Sequence, residues 1–311
     1  MLIILLGTRN RTPLIMNVII KRFKYFYSIL LKIFVRANFN TKNDKFNSLF
    51  EFNPVIFFND TISNEINIDG VYEKNQLDII KPFLKRDIFI DIGANLGNHT
   101  LYFNKYFKNI YSFEPHPLTF KLLEINTNYK SNIEIFNFGL SEQEKKTSVI
   151  IKSQNNVGGE DYKENNNNGK IKEDVFFKNF DEIYNFKNQI SFIKIDVEGN
   201  ELDVLKSMNK NLTNNQAIIL IEFDVKNFSE NNEIVMFLKK AGYNFFYFFE
   251  TNKILDLRIR NLFTIFFKII FFGFTEKVRL RDVNNFNKNK HYINQNILIS
   301  KHKLDLFDTN N

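Results

Sequence analysis

The chain of 311 residues has no cysteine, no tryptophan and only four histidines. Without cysteine there is no disulfide, no thiolate nucleophile and no cysteine-ligated zinc. His99, His116, His291 and His302 include no pair at metal-ligand spacing such as H-x-x-x-H, and no metal is assigned. No serine stands in a G-x-S-x-G turn, so a hydrolase triad has no support. No uncharged run approaches the ~20 residues of a membrane-spanning helix. Residues 1–6 are apolar but too short for a secretory signal, and they precede their charges instead of following them. A cytoplasmic protein is expected, either free or peripheral at the inner face of the membrane. There are no internal repeats.

What is present is apolar and basic. Hydrophobic residues make up 44% of the chain, enough for a substantial core. The 37 phenylalanines accompany abundant Asn, Lys and Ile, which reads as compositional drift rather than chemistry. A net charge of +7 favours anionic surfaces. The charge is concentrated. Over residues 18–36, Lys21, Arg22, Lys24, Lys32 and Arg36 fall on one side of a helical wheel. Ile19, Phe23, Phe26, Tyr27, Leu30, Ile33 and Phe34 fall on the other. One reading is an interfacial helix making peripheral membrane contact. The competing reading is a helix packed on the domain or on a partner, with a solvated basic face. A second basic-apolar segment, residues 258–281, is expected to dock as core.

The most informative stretch is Phe89-Ile90-Asp91-Ile92-Gly93-Ala94-Asn95-Leu96-Gly97-Asn98-His99-Thr100. An apolar run ends in an acid, a loop carries two glycines, and a helix-like segment follows. This is the layout of a nucleotide-type site at the carboxyl end of a parallel strand. The loop is not G-x-G-x-x-G and lacks the Lys-Ser/Thr of a P-loop, so a nucleoside without phosphates is the expected ligand. Tyr111-Ser112-Phe113-Glu114-Pro115 supplies a second strand ending in an acid, placed to hold a ribose diol. Asn137-Phe138-Gly139-Leu140-Ser141 closes a third strand, where backbone amides suit an adenine edge.

Around these motifs runs an α/β rhythm. Strands are expected at 88–91, 110–114, 133–137, 190–195, 217–223, 243–249 and 295–300. Helices are expected near 75–84, 97–107, 117–129, 200–209 and 230–241. Apolar strands alternating with helices imply a parallel sheet covered on both faces. Residues 48–70 read as a short hairpin, and the polar stretch from Gly158 to Gly169 as a long loop. The expected division is an extension over 1–45 and one domain over 46–311, with its core at about 71–300 and an excursion at 255–290.

The fourth strand ends Ile193-Lys194-Ile195-Asp196-Val197-Glu198-Gly199-Asn200-Glu201. Asp196 and Glu198 are expected to face the crevice, where an acid with a raised pKa removes a proton. Glu198 and Glu201 are three apart and would share a helix face. Blander uses exist: Asp196 as a helix cap and Glu201 as a first-turn acid. Glu222 and Asp224 add carboxylates to the rim.

These motifs resemble the FkbM family of S-adenosylmethionine-dependent methyltransferases. The resemblance rests on Asp91 to Thr100, on Ser112-Phe113-Glu114-Pro115 and on Ile193 to Leu202, and it spans about 71–300. It implies a class I methyltransferase fold, a Rossmann-like seven-stranded sheet with helices on both faces and the last strand antiparallel. It implies S-adenosyl-L-methionine held by Asp91, Gly93, Ala94, Asn95, Gly97, Thr100, Glu114, Pro115, Gly139 and Asp196. The implied reaction is O-methylation of a sugar or surface-glycan hydroxyl, with Asp196 or Glu198 as base and His99 a weaker candidate. Two alternatives stand beside it, a nucleic-acid methyltransferase and a non-catalytic module of the same fold. No nucleic-acid partner is expected, because the positive charge lies in segments rich in Phe and Ile and no Asn-Pro-Pro-Tyr motif is present. The sequence assigns no oligomeric state.

Overall fold

In a computed structural model, the protein is described at residues 54–56, 63, 66, 71–150, 172–224, 228–252, 277–285 and 292–306. The chain divides into two units, residues 1–72 and 73–311. The basic segment 18–36 and residues 258–276 lie outside the described residues. So do residues 1–45 as a whole and the loop from Gly158 to Gly169. In the first unit, Ser63 and Ile66 are helical, which corrects the hairpin expected across 48–70.

The second unit opens with α1 (Lys74–Ile80), continued by a 3-10 turn at Lys81–Phe83. Then follow β1 (Ile88–Ile92), α2 (Asn98–Phe103), β2 (Asn109–Phe113), α3 (Pro117–Thr127) and β3 (Ile133–Phe136). A small insertion comes next: β4 (Gly139–Leu140), β5 (Lys145–Ile150), β6 (Lys172–Lys178) and α4 (Phe180–Ile183). The main sheet resumes with β7 (Ile190–Ile195), α5 (Glu201–Ser207), α6 (Asn209–Asn214), β8 (Ile218–Glu222), α7 (Glu233–Lys240) and β9 (Phe245–Asn252). It ends with β10 (Lys277–Asp282) and β11 (Tyr292–Ser300).

The sheet has eight strands in the order β10-β9-β11-β8-β7-β1-β2-β3. From β8 to β3 all neighbours are parallel, and β11 runs antiparallel between β8 and β9. Seven of these are the expected strands, with the last antiparallel. The eighth, β10, corrects the reading of 258–281 as an excursion throughout: its final residues form an edge strand antiparallel to β9. Val278 and Leu280 turn inward there while charged residues alternate with them, a common way to blunt a sheet edge. A separate three-stranded sheet, β4-β6-β5, was not anticipated.

Period-two alternation divides the central strands between two helical layers. Ile88, Ile90, Ile92, Ile193, Ile195, Ile219 and Ile221 enter one core with Val204 and Leu205 of α5 and Val235 and Leu238 of α7. Phe89 and Phe192 point the other way and stack with ring centres 5.0 Å apart, closed over by Phe103 of α2. Above those rings, on the same face, stand Ser112, Asp91 and Lys194, side by side in register. The chain leaves β1 toward β2 and β3 but continues from β7 toward β8. The order therefore reverses between β1 and β7, and the crevice at their carboxyl ends is where ligands bind in such sheets.

Candidate active site

Asp91 is fully buried near the end of β1. Its Oδ2 accepts from Thr100 Oγ1 at 2.6 Å, and that hydroxyl lies 2.8 Å from Ser112 Oγ. Among the described residues its Oδ1 has no hydrogen-bond partner. The loop beyond it is fastened to β2, where the N–H groups of Gly93 and Ala94 both donate to the Phe113 carbonyl at 2.9 and 3.0 Å. Asn95 adopts φ +51°, and its N–H donates to Glu114 Oε2 at 2.8 Å. The first two strand ends are thus joined by backbone as well as by an acid.

Glu114 is buried, and its Oε1 accepts from His116 N–H at 2.8 Å and Thr119 Oγ1 at 3.0 Å. Burial dominates these bonds, and nearby Asp91 adds to it, so the carboxyl is pushed up to about 7. Pro115 opens the link into α3, and Asn137 Nδ2 steadies it by donating to the carbonyls of Glu114 and Pro115 at 2.9 and 3.2 Å.

The third partner is the end of β7. Asp196 N–H donates to the Ile92 carbonyl at 3.0 Å, and a Cβ on Gly93 would lie 1.8 Å from the Asp196 carbonyl oxygen. Only glycine fits there, and Gly93 also holds φ +77°. Gly97, at φ +95°, starts α2 against Leu123 of α3. The expected residues Asp91, Gly93, Ala94, Asn95, Glu114 and Asp196 are therefore gathered at the switch point.

The remaining expectations fare differently. Thr100 is buried and braces Asp91. Gly139 lies under the Phe177 ring in the small sheet. His99 is 5% exposed, and its Nε2 lies 3.1 Å from Glu73 Oε2. Glu198 is exposed in a left-handed turn, φ +51°, ahead of the helix. It does not share a helix face with Glu201, because α5 begins only at Glu201. Glu201 Oε1 accepts the Gly199 N–H at 2.8 Å, so it satisfies a free donor at the helix start.

Lys194 adds to the site what the sequence reading lacked, and it gives Asp196 and Glu222 their setting. Lys194 is 2% exposed, and its Nζ lies 2.7 Å from Asp196 Oδ2. Burial works against its charge, but the carboxylates of Asp196, Asp91 and Glu73 outweigh it and raise the ammonium's pKa. A lysine within an apolar strand was the available signal, and its neighbours were not readable. Asp196 feels burial pushing it up, yet Lys194, a hydrogen bond from Glu222 and the nearby His99 hold it below the usual carboxylate range. Glu222 is pushed up to about 8, first by burial, then by the charge and hydrogen bond of Asp196, then by Glu198 and Glu201. Lys194 touches Asp196 directly, so Asp196 stays ionised and Glu222 keeps the proton.

The chain is similar to known proteins to different degrees. The methyltransferase FkbM domain model matches residues 91–245. A curated relative, Methyltransferase 1 of Beauveria bassiana, is 26% identical over 171 residues, covering 47% of this chain and 66% of the relative. The chain thus spans just under two thirds of that protein. A methyltransferase FkbM structure from Methylobacillus flagellatus aligns at 15% identity and TM-score 0.37, over 59% of this chain and 48% of its own. A Streptococcus mutans protein in complex with SAH aligns at 11% identity and TM-score 0.38, over 75% of this chain and 99% of its own. With the loop after β1 and the acid turn after β7 both inside the matched range, residues 91–245 belong to the methyltransferase FkbM domain family.

Proposed function

We propose that the chain is an S-adenosylmethionine-dependent O-methyltransferase acting on a hydroxyl of a sugar, within a surface glycan or a related small molecule. The observation that carries this reading is the convergence of three strand ends, with Glu114 on the Asn95 N–H and Gly93 against the Asp196 carbonyl.

The chemistry of the residues fits the donor. The buried Asp91 Oδ1, without a partner among the described residues, is an acceptor for an ammonium group. Among the described residues Glu114 Oε2 accepts one hydrogen bond, and it retains capacity for a ribose hydroxyl. The loop from Gly93 to Gly97 presents backbone instead of phosphate-binding side chains. Bound there, the donor supplies a sulfonium-activated methyl group. The protein then has to align the acceptor oxygen and receive its proton. Asp196 and Glu198, at the turn after β7, are the candidate bases. His99, buried with one ring nitrogen against Glu73, is a weaker base.

Peripheral membrane contact through residues 18–36 belongs to this reading, because a lipid-linked glycan would lie at that surface. Among the described residues no helix is long and apolar enough to cross a membrane. The function is tested by calorimetric titration with S-adenosylmethionine, followed by transfer of its labelled methyl group to cell-envelope glycan fractions and mapping of the product. Absence of donor binding would favour the non-catalytic alternative. A steeply salt-dependent retention of RNA or DNA would favour a nucleic-acid substrate.

A further inference from the structure

We infer that Glu222 and Asp196 form one carboxyl pair that receives the acceptor's proton, and that buried Lys194 is the residue that positions it. This rests on the hydroxyl-methylation reading above.

The geometry is set by the sheet. Lys194 pairs with Leu220 and Ile195 with Ile221 in the parallel β7-β8 ladder, so Asp196 and Glu222 emerge as neighbours just beyond it. Alternation puts both on the face that carries Asp91 and Lys194, and a hydrogen bond joins them. Asp196 is anchored on two sides: its backbone meets the donor loop at Gly93, and its Oδ2 meets Lys194 Nζ at 2.7 Å. Its side chain remains 35% exposed, so the pair opens to the crevice.

Charged groups approach from every surrounding element. Asp91 stands beside Lys194 on β1, His99 comes from α2, and Glu73 precedes α1. Glu198 and Glu201 lie in the turn and helix after β7, and the neutral Asn296 pairs with Glu222 from β11. Among the described residues Lys194 is the one ammonium against the pair, and it cannot neutralise two carboxylates, so at rest the pair retains a single proton on Glu222. In that state it is a poor base, because a second proton would have to settle on the carboxylate that Lys194 keeps ionised. Once Glu222 releases its proton to solvent, the pair carries two charges and can receive another. The acceptor O–H proton then passes to the pair as the oxygen–methyl bond forms and the sulfur–methyl bond of the sulfonium donor breaks, sulfur keeping the electron pair.

The experiment measures two things on the full chain and on Glu222→Gln and Lys194→Met. The first is the infrared band of protonated carboxyl groups in the donor-free protein. Beside the component that Glu114 loses near pH 7, a second component should persist above neutral pH, disappear near pH 8, and be missing from Glu222→Gln. The second is kcat/KM for methyl transfer to the glycan fraction against pH. The wild type should rise about tenfold per pH unit below the ionisation and level off above it. Glu222→Gln should be flat and roughly 100-fold or more below the wild-type plateau. Lys194→Met should move both the band and the rise to higher pH, since a stabilising positive charge is gone. A variant that merely loses packing would lower the rate at every pH and keep the wild-type shape. The inference is overturned by a wild-type-like rise in Glu222→Gln, or by the absence of a carboxyl band titrating near pH 8 in the wild type. If no glycan fraction is methylated, the acceptor assignment falls, and the infrared band still decides whether the pair exists.

Discussion

Glu114 and Glu222 share a property unusual for acids: both hold a proton more tightly in the folded chain than out of it. Their carboxyls rise from the usual 4.5 to about 7 and about 8. A raised acid contributes stability that is complete below the unfolded value and is lost as pH climbs through the folded one. The melting temperature should therefore decline between about pH 4.5 and 8, and Glu222→Gln should make that decline shallower. An unchanged slope in the variant would remove Glu222 from the account. Asp78, Asp196 and Asp203 act in the opposite sense, with depressed values whose stabilisation disappears as the solution becomes strongly acidic. Glycines give a second residue-level contrast. Gly93→Ala would drive a Cβ to 1.8 Å from a backbone oxygen, whereas Gly199, also left-handed, has nothing within 4 Å of that position. Gly199→Ala should cost about 1–2 kcal/mol from backbone conformation alone. Gly93→Ala should cost several-fold more and abolish donor binding, as denaturant melts and calorimetry would show.

At the scale of elements, local rules succeed where neighbours in sequence decide the outcome. Helix α7 starts at Asn232, whose side chain accepts from Ile234 N–H at 2.9 Å and Val235 N–H at 3.4 Å. Asn232→Ala should cost about 1 kcal/mol in urea unfolding. The strand-loop-helix from Ile88 to Phe103 was legible for the same reason. Its acid, glycines and apolar run lie within a dozen residues, and parallel strands read as continuous apolar stretches. Strands β5 and β6 were not legible. Lys145–Ile150 opens on two lysines, Lys172–Lys178 is charged at both ends, and their pairing bridges the polar loop between them. Edge strand β10 did leave a trace, the alternation of Val278 and Leu280 with lysine and arginine, hidden by the apolar run before it. The Lys194, Asp196 and Glu222 cluster depended on β7 and β8 becoming neighbours, which spacing along the chain does not encode. Glu198 was misread because a left-handed turn, not the helix itself, follows β7.

For the whole molecule, the basic residues 18–36 carry the proposed link to a lipid surface. Full-length protein should float with liposomes containing anionic lipid and lose that flotation at high salt, since screening weakens such contacts. A chain lacking residues 1–37 should remain in the soluble fraction. Equal flotation of both would clear the N-terminal segment of that role. One contact within the domain constrains how the proposed acceptor specificity could change. The missing Cβ of Gly93 allows the Asp196 carbonyl to rest directly on the loop after β1. Two segments more than a hundred residues apart in the chain are therefore shaped to one another. Grafting the turn at residues 196–199 from a relative with another acceptor should yield a working hybrid only when the 93–97 loop travels with it.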